Sequence, residues 1–177
     1  KKGGVKVIIK KSISFIYLIL QIPIYLISIP TVIIIRLIRP WFLIRWHPLP
    51  SGRIGYFVKE IELYCCQRDA GINSPSQRYT DLFYLRKYVC NKQVEKMWRR
   101  SELIILPRWL LHPLFQVNRF INIFVPGGNN HEISNLSRPM DSSINSIINE
   151  ETIIDVHNLL ERFQPHISFS DDEERKG

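Results

Sequence analysis

The chain has 177 residues, enough for one domain, and a formal charge of +8 that is unevenly spread. Residues 1–120 hold 20 Lys and Arg against 6 Asp and Glu, whereas residues 121–177 hold 4 against 10. Three cysteines (Cys65, Cys66, Cys90) without a Cys-x-x-Cys pair exclude a disulfide framework, five scattered histidines show no metal-ligand spacing, and no nucleic-acid motif accompanies the basic charge.

Lys1, Lys2, Lys6, Lys10 and Lys11 precede an uncharged run from Ser12 to Ile35, 24 residues long. That length can cross a bilayer as a helix, and it exceeds a signal-peptide core. Pro23 and Pro30 interrupt the run and favour a kink. Arg36, Arg39, Arg45 and Arg53 follow, so both flanks are positive and the charge rule for orientation gives no direction. The pattern suits a re-entrant or in-plane anchor on an anionic membrane surface, with a single span or a buried core helix as alternatives. Residues 1–39 are read as a basic, hydrophobic membrane-associated segment and residues 40–177 as a folded domain.

Within that domain a short strand is expected from Trp41 to Trp46, between Pro40 and Pro48. A helix follows over Ile54 to Arg68, with one of Cys65 and Cys66 facing the core and the other not. Gly71 to Thr80 reads as a loop, and Leu82 to Val89 as a buried parallel strand. Asn91 is placed to cap a helix that runs to Arg100. Leu103 to Leu106 is a strand candidate, and Leu110 to Phe124 a helix with Pro113 near its start. Strand, helix, strand, helix, strand predicts an α/β sandwich with a parallel sheet.

From Pro126 to Asn149 the chain turns polar. Gly127-Gly128-Asn129-Asn130 marks a loop, either a surface excursion or an acceptor-binding loop over the sheet edge. Asn135-Leu136-Ser137 fits a glycosylation sequon that a cytosolic domain would not use. Glu151 to Phe163 has the apolar spacing of an amphipathic helix. Ser170-Asp171-Asp172-Glu173 is a capping box that announces a helix with only two turns of chain left, which suggests a truncated reading frame.

The segment Arg53-Ile54-Gly55-Tyr56 carries the clearest chemical expectation. A glycine between an extended segment and a helix puts backbone N–H groups at the helix N-terminus, where phosphate or sugar hydroxyls can be held. Arg53 and Arg68 bracket the helix. Glu60, Glu62 and Asp69 are the candidate carboxylates for a general base, with salt bridges to Arg53, Arg68 or Lys59 as the alternative role. No Walker loop, nucleophile elbow or His-Glu-x-x-His is present.

Six words occur in fixed order: Arg53-Ile54-Gly55, Glu62-Leu63-Tyr64, Arg68-Asp69-Ala70-Gly71-Ile72, Asp81-Leu82-Phe83-Tyr84, Asn91-Lys92-Gln93 and Lys96-Met97-Trp98. In this order the chain resembles, over roughly residues 36–177, the N-terminal part of a family of bacterial glycosyltransferases from surface-polysaccharide gene clusters. The resemblance implies a Rossmann-like parallel sheet with flanking helices, the N-terminal half of a GT-B-like fold, truncated before the donor-binding domain. It implies transfer of a sugar from a nucleotide-sugar donor to a surface glycan or lipid-linked acceptor at the cytoplasmic face of the inner membrane. No cofactor and no metal are expected, in keeping with the lack of an Asp-x-Asp pair, and no nucleic-acid partner. Glu62 and Asp69 fall within the matching words and are the catalytic candidates; Arg53, Gly55, Tyr56 and Arg68 are the substrate-binding ones. The family usually has His where this chain has Tyr56, which leaves a hydrogen-bonding group there without an imidazole. A chain without the donor domain would be inactive alone, and the alternative is a non-enzymatic membrane-associated module with a vestigial site.

Overall fold

A computed structural model describes residues 21–72, 74–133, 157–158, 160–163, 165–168 and 170. The first part of the apolar run, the sequon, most of the expected helix over Glu151 to Phe163, and Asp171 to Glu173 of the capping box lie outside these residues. The described elements are α1 (Gln21–Ile38), β1 (Leu43–Leu49), α2 (Ile54–Asp69), β2 (Tyr79–Leu85), α3 (Lys92–Arg100), β3 (Ile104–Ile105), α4 (Arg108–Phe124) and a 3-10 turn at Gly128–His131. The mixed α/β class and the parallel sheet match the expectation from element order.

The sheet has the order β1-β2-β3, with β1 and β2 paired along seven residues from Leu43↔Tyr79 to Leu49↔Leu85. Alternation splits its side chains into two cores. Leu49, Phe83 and Leu85 meet Phe57, Ile61, Tyr64 and Cys65 of α2 and Trp98 of α3. Trp46 and Tyr84 meet Val32 and Ile35 of α1 and Leu111, Phe115 and Val117 of α4. The result is a three-layer sandwich, with α2 and α3 on one face and α1 and α4 on the other. The expected boundary at residue 39 falls between α1 and β1, and residues on both sides of it share the second core.

Several element limits differ from the sequence reading, most of all those of β1 and β2. β1 extends to Leu49 through Pro48, where a Trp41–Trp46 strand was expected to stop; it has a full partner strand on one side only, and an edge strand tolerates proline. β2 starts at Tyr79 and stops at Leu85. Its polar start is half-buried, and Asp81 pairs there with Arg45 across the sheet at 2.6 Å. Its end is set by Ser51, whose hydroxyl accepts from the Arg86 N–H (3.1 Å) and donates to the Tyr88 carbonyl (3.0 Å). Cys65 and Cys66 are both buried, not one in and one out, and burial pushes the Cys65 thiol up to about 12. α2 is covered on its sheet side and also along its flank, where His166 lies beside Glu62, Cys66 and Asp69.

Several of the sequence words have structural duties. Asn91 Oδ1 accepts from the N–H groups of Gln93 (2.8 Å) and Val94 (3.2 Å), a side-chain cap for α3. Gly71 has φ +73 and ends α2 with paired bonds, its own N–H to Arg68 O (2.9 Å) and the Ile72 N–H to Gln67 O (2.8 Å). That is a Schellman cap, in which glycine relieves the Cβ strain of the left-handed residue. Trp98 Nε1 donates to Phe57 O (2.8 Å) and ties α3 to α2.

Candidate functional site

After α4 the chain returns to the free edge of β1. Glu132 makes an isolated parallel bridge with Trp46, on the side of β1 away from β2. The crossovers through α2 and α3 run in one direction, and the crossover through α4 runs back past the start. The chain path therefore reverses at β1, through a one-residue bridge and not a fourth strand. In open parallel sheets the crevice outside the carboxyl ends of the strands, at such a reversal, is where ligands are held.

The β1–α2 turn occupies this position. Ser51 is fully buried and stitches the turn to the β2–α3 loop, since its carbonyl also accepts from the Cys90 N–H at 2.9 Å. Arg53 follows in extended conformation (φ −135°, ψ 131°) as the N-cap of α2, and no side chain caps the helix. The first N–H group of α2 bonded within the helix is that of Phe57, to Arg53 O (2.9 Å). Arg53 and Gly55 are exposed and Tyr56 is half-buried. The side chains of Arg53 and Tyr56 make no hydrogen bond or ion pair among the described residues. A Cβ built on Gly55 would meet nothing within 4 Å, so the fold itself does not require glycine there.

The other predicted site residues lie elsewhere. α2 is 16 residues long, about 24 Å at 1.5 Å per residue, and Arg68 and Asp69 sit at its far end. There they join Glu62 in a clamp around His166. His166 N–H and Nδ1 both lie 2.8 Å from Glu62 Oε1, and Nε2 lies 2.8 Å from Asp69 Oδ2. Arg68 donates to Asp69 Oδ1 (3.0 Å) and to Glu102 Oε2 (3.0 Å). Burial pulls the His166 pKa down, but the bonds to Asp69 and Glu62 outweigh it and the net shift is upward. Burial likewise opposes ionisation of Asp69, and the bonds from His166 and Arg68 bring its pKa below the usual value. The structure therefore separates Arg53, Gly55 and Tyr56 from Glu62, Arg68 and Asp69.

Of the three candidate carboxylates, Glu60 is the one associated with the carboxyl edge. Its pKa is raised by burial, with the nearby Arg86 guanidinium pulling the other way. Arg86 immediately follows β2, at the same edge of the sheet. Arg45, Asp81 and Tyr64 form a separate buried cluster near the opposite end of the strands. Asp81 accepts two bonds from Arg45 at 2.6 Å and one from the Tyr64 hydroxyl. That cluster is structural.

Glu62, Cys66 and His166 bring a carboxylate, a thiol and an imidazole within 4.8 Å of one another. Spacing along the sequence gave no sign of this, because His166 lies 104 positions from Glu62. Both imidazole nitrogens already face carboxylates, which is the chemistry of an ion-pair clamp. A separate groove of about 470 Å³ opens between α1 and the start of α4, lined by Gln21, Tyr25, Arg108, Trp109 and His112. The His112 pKa is lowered there by burial and by Arg108.

The Gly127-Gly128 pair is explained by packing. Gly127 has φ +112, and a Cβ on Gly128 would lie 2.3 Å from Arg36 Nη2 and 2.8 Å from Asn122 Oδ1. The pair lets the 3-10 turn close on α1 and α4. Compared with known proteins, the chain matches no protein-family model, no curated protein and no solved structure.

Proposed function

We propose that this chain is the acceptor-side half of a glycosyltransferase at the cytoplasmic face of the inner membrane, with a nucleotide-sugar donor held by a further domain. The observation that carries the reading is the unused turn at Arg53-Ile54-Gly55. Most of the other words behind the family resemblance have duties in the fold: caps, a buried ion pair, a tryptophan tie. Arg53-Ile54-Gly55 contributes to the fold only through its backbone, the Arg53 carbonyl accepting from the Phe57 N–H, and it stands at the carboxyl end of β1 where the chain path reverses. The N–H groups of the first turn of α2, with Arg53 at the N-cap, suit the phosphate of a lipid-linked acceptor. Tyr56 supplies a hydroxyl at the same turn.

In this reading Glu60 takes the general-base role, because a base must come within hydrogen-bond reach of the acceptor hydroxyl. Glu62 and Asp69 hold His166 instead. Burial raises the Glu60 pKa, which suits a proton acceptor. The second reading, a non-enzymatic membrane module with a vestigial site, is favoured by the engagement of Glu62 and Asp69.

Titration of the isotope-labelled chain with farnesyl phosphate, followed by amide NMR, tests the proposal. Shifts centred on Gly52 to Tyr56 support it. Shifts confined to α1 and α4, or no shifts, would leave only the second reading.

A further inference from the structure

The two outer faces of the sandwich differ in chemistry. α2 and α3 carry Glu60, Glu62, Asp69 and Glu95, whereas α1 and α4 carry no Asp or Glu. Their charged residues are arginines alone, Arg36, Arg108 and Arg119, with Arg39 just beyond α1. On α1 the side chains of Leu26, Ile27, Ile34 and Leu37 are 58% to 68% exposed. On α4 those of Trp109, Phe120, Ile123 and Phe124 are 62% to 75% exposed. Spaced by helical turns, these form two adjacent apolar stripes opposite the core positions of each helix. A contiguous apolar area of this kind on a folded domain marks a docking surface.

We infer that α1 and α4 together form one face that lies flat on an anionic bilayer, in the plane of the interface and not across it. α1 has the length and hydropathy of a span, 18 residues at mean hydropathy 1.9. But Val32, Ile35 and Ser28 are buried against the domain, and Arg36 bonds to Asn118 and to the Val125 carbonyl near the end of α4. A spanning α1 would draw the sheet toward hydrocarbon, where open strand edges cannot be satisfied. In the interface plane the same helix buries only its outer stripe, to about 5–10 Å.

The rim of the face fits a lipid surface. Trp41 and Trp109, both largely exposed, lie at opposite ends, one just past the end of α1 and the other in the first turn of α4. Tryptophan concentrates at the headgroup level, and arginines near it are drawn to anionic lipid. Two copies packed face to face would oppose arginine to arginine, which disfavours a dimer as the occupant.

The inference rests on the membrane-surface part of the reading above and not on the transferase part. The test is flotation of the full chain with phosphatidylcholine vesicles, with and without phosphatidylglycerol. The double substitution Phe120→Ser/Ile123→Ser alters only exposed side chains of α4. It should reduce vesicle-bound protein about tenfold or more, given the apolar area withdrawn from lipid. Trp109→Ser, as a second variant, should weaken binding in the same direction. Circular dichroism should show both variants folded. A chain that floats equally well with and without the α4 substitutions would overturn the inference while leaving membrane attachment through residues 12–35 intact. A chain that never floats would overturn both. A soluble dimer dissociated by the α4 substitutions would overturn it in favour of a second copy.

Discussion

Arg36 of α1 and Gly128 of the 3-10 turn approach so closely that a Cβ on Gly128 would stand 2.3 Å from Arg36 Nη2. The guanidinium uses that space to donate from Nη2 to Asn118 O and from Nε to Asn118 Oδ1, at 2.9 and 3.0 Å. Asn118 Nδ2 in turn donates to Gly128 O at 3.0 Å. One glycine thereby allows α1, α4 and the returning chain to lock together.

Gly128→Ala should therefore cost about 1–3 kcal/mol, as overpacking does. Urea denaturation measures it. The flexible Arg36 terminus can move, but the Cβ of Asn122 at 2.9 Å cannot without shifting α4. Unchanged stability would contradict the close approach.

The His166 clamp should be sensitive to pH at both ends. The raised pKa of His166 contributes stability that is fully present below its unfolded value of about 6.5 and is lost as pH rises through the folded value. The lowered pKa of Asp69 contributes stability present above about 3.9 and lost as pH falls. Residues 165–168 should thus hold α2 most firmly between about pH 4 and 6.5. The melting difference between the parent chain and His166→Ala should be larger at pH 5.5 than at pH 9. An equal difference at both would remove the ionic account of the clamp.

Asp81→Asn should be among the costliest polar substitutions, because it removes the carboxylate charge that faces Arg45 and accepts from the Tyr64 hydroxyl. Burial works against the Arg45 charge, and it is its bonds to the Asp81 carboxylate that keep its pKa above normal. Breaking one side of a buried pair costs about 3–5 kcal/mol. Replacing both partners with apolar residues should cost less than the single change. A measured loss below 1 kcal/mol for Asp81→Asn would show the pair to be solvated.

Much of the fold was legible in the sequence for local reasons. Asn91 announces its helix through a side chain that reaches only two and three residues ahead. Gly71 marks the end of α2 by the same kind of short-range bond. What could not be read depends on distant partners. Pro48 suggested a strand end, but β1 has a free edge. The Cys65-Cys66 pair suggested one inward thiol, yet residues more than 90 positions away cover the outer flank of α2. Glu62 and Asp69 read as general-base candidates or as salt-bridge partners of nearby Arg and Lys; the Arg68 pair could be read, but His166 is remote in sequence and could not. At the candidate site, Arg53 and Gly55 were visible as a turn before a helix; Ser51, which fixes that turn through partners 35 and 37 positions away, was not.

The most direct test of the central claim is a binding titration of farnesyl phosphate against the parent chain, Arg53→Ala and Gly55→Val, with thermal melting measured alongside. Gly55 has open space around its Cβ position and needs no left-handed backbone, so the valine variant should melt at or near the parent temperature. If backbone N–H groups of the turn hold the phosphate, valine should block their approach and reduce affinity at least tenfold, about 1.4 kcal/mol. Arg53→Ala should weaken binding as well, and more at low salt, where screening is least. Normal melting with normal affinity in both variants would contradict the account and remove the carboxyl edge of β1 as a site.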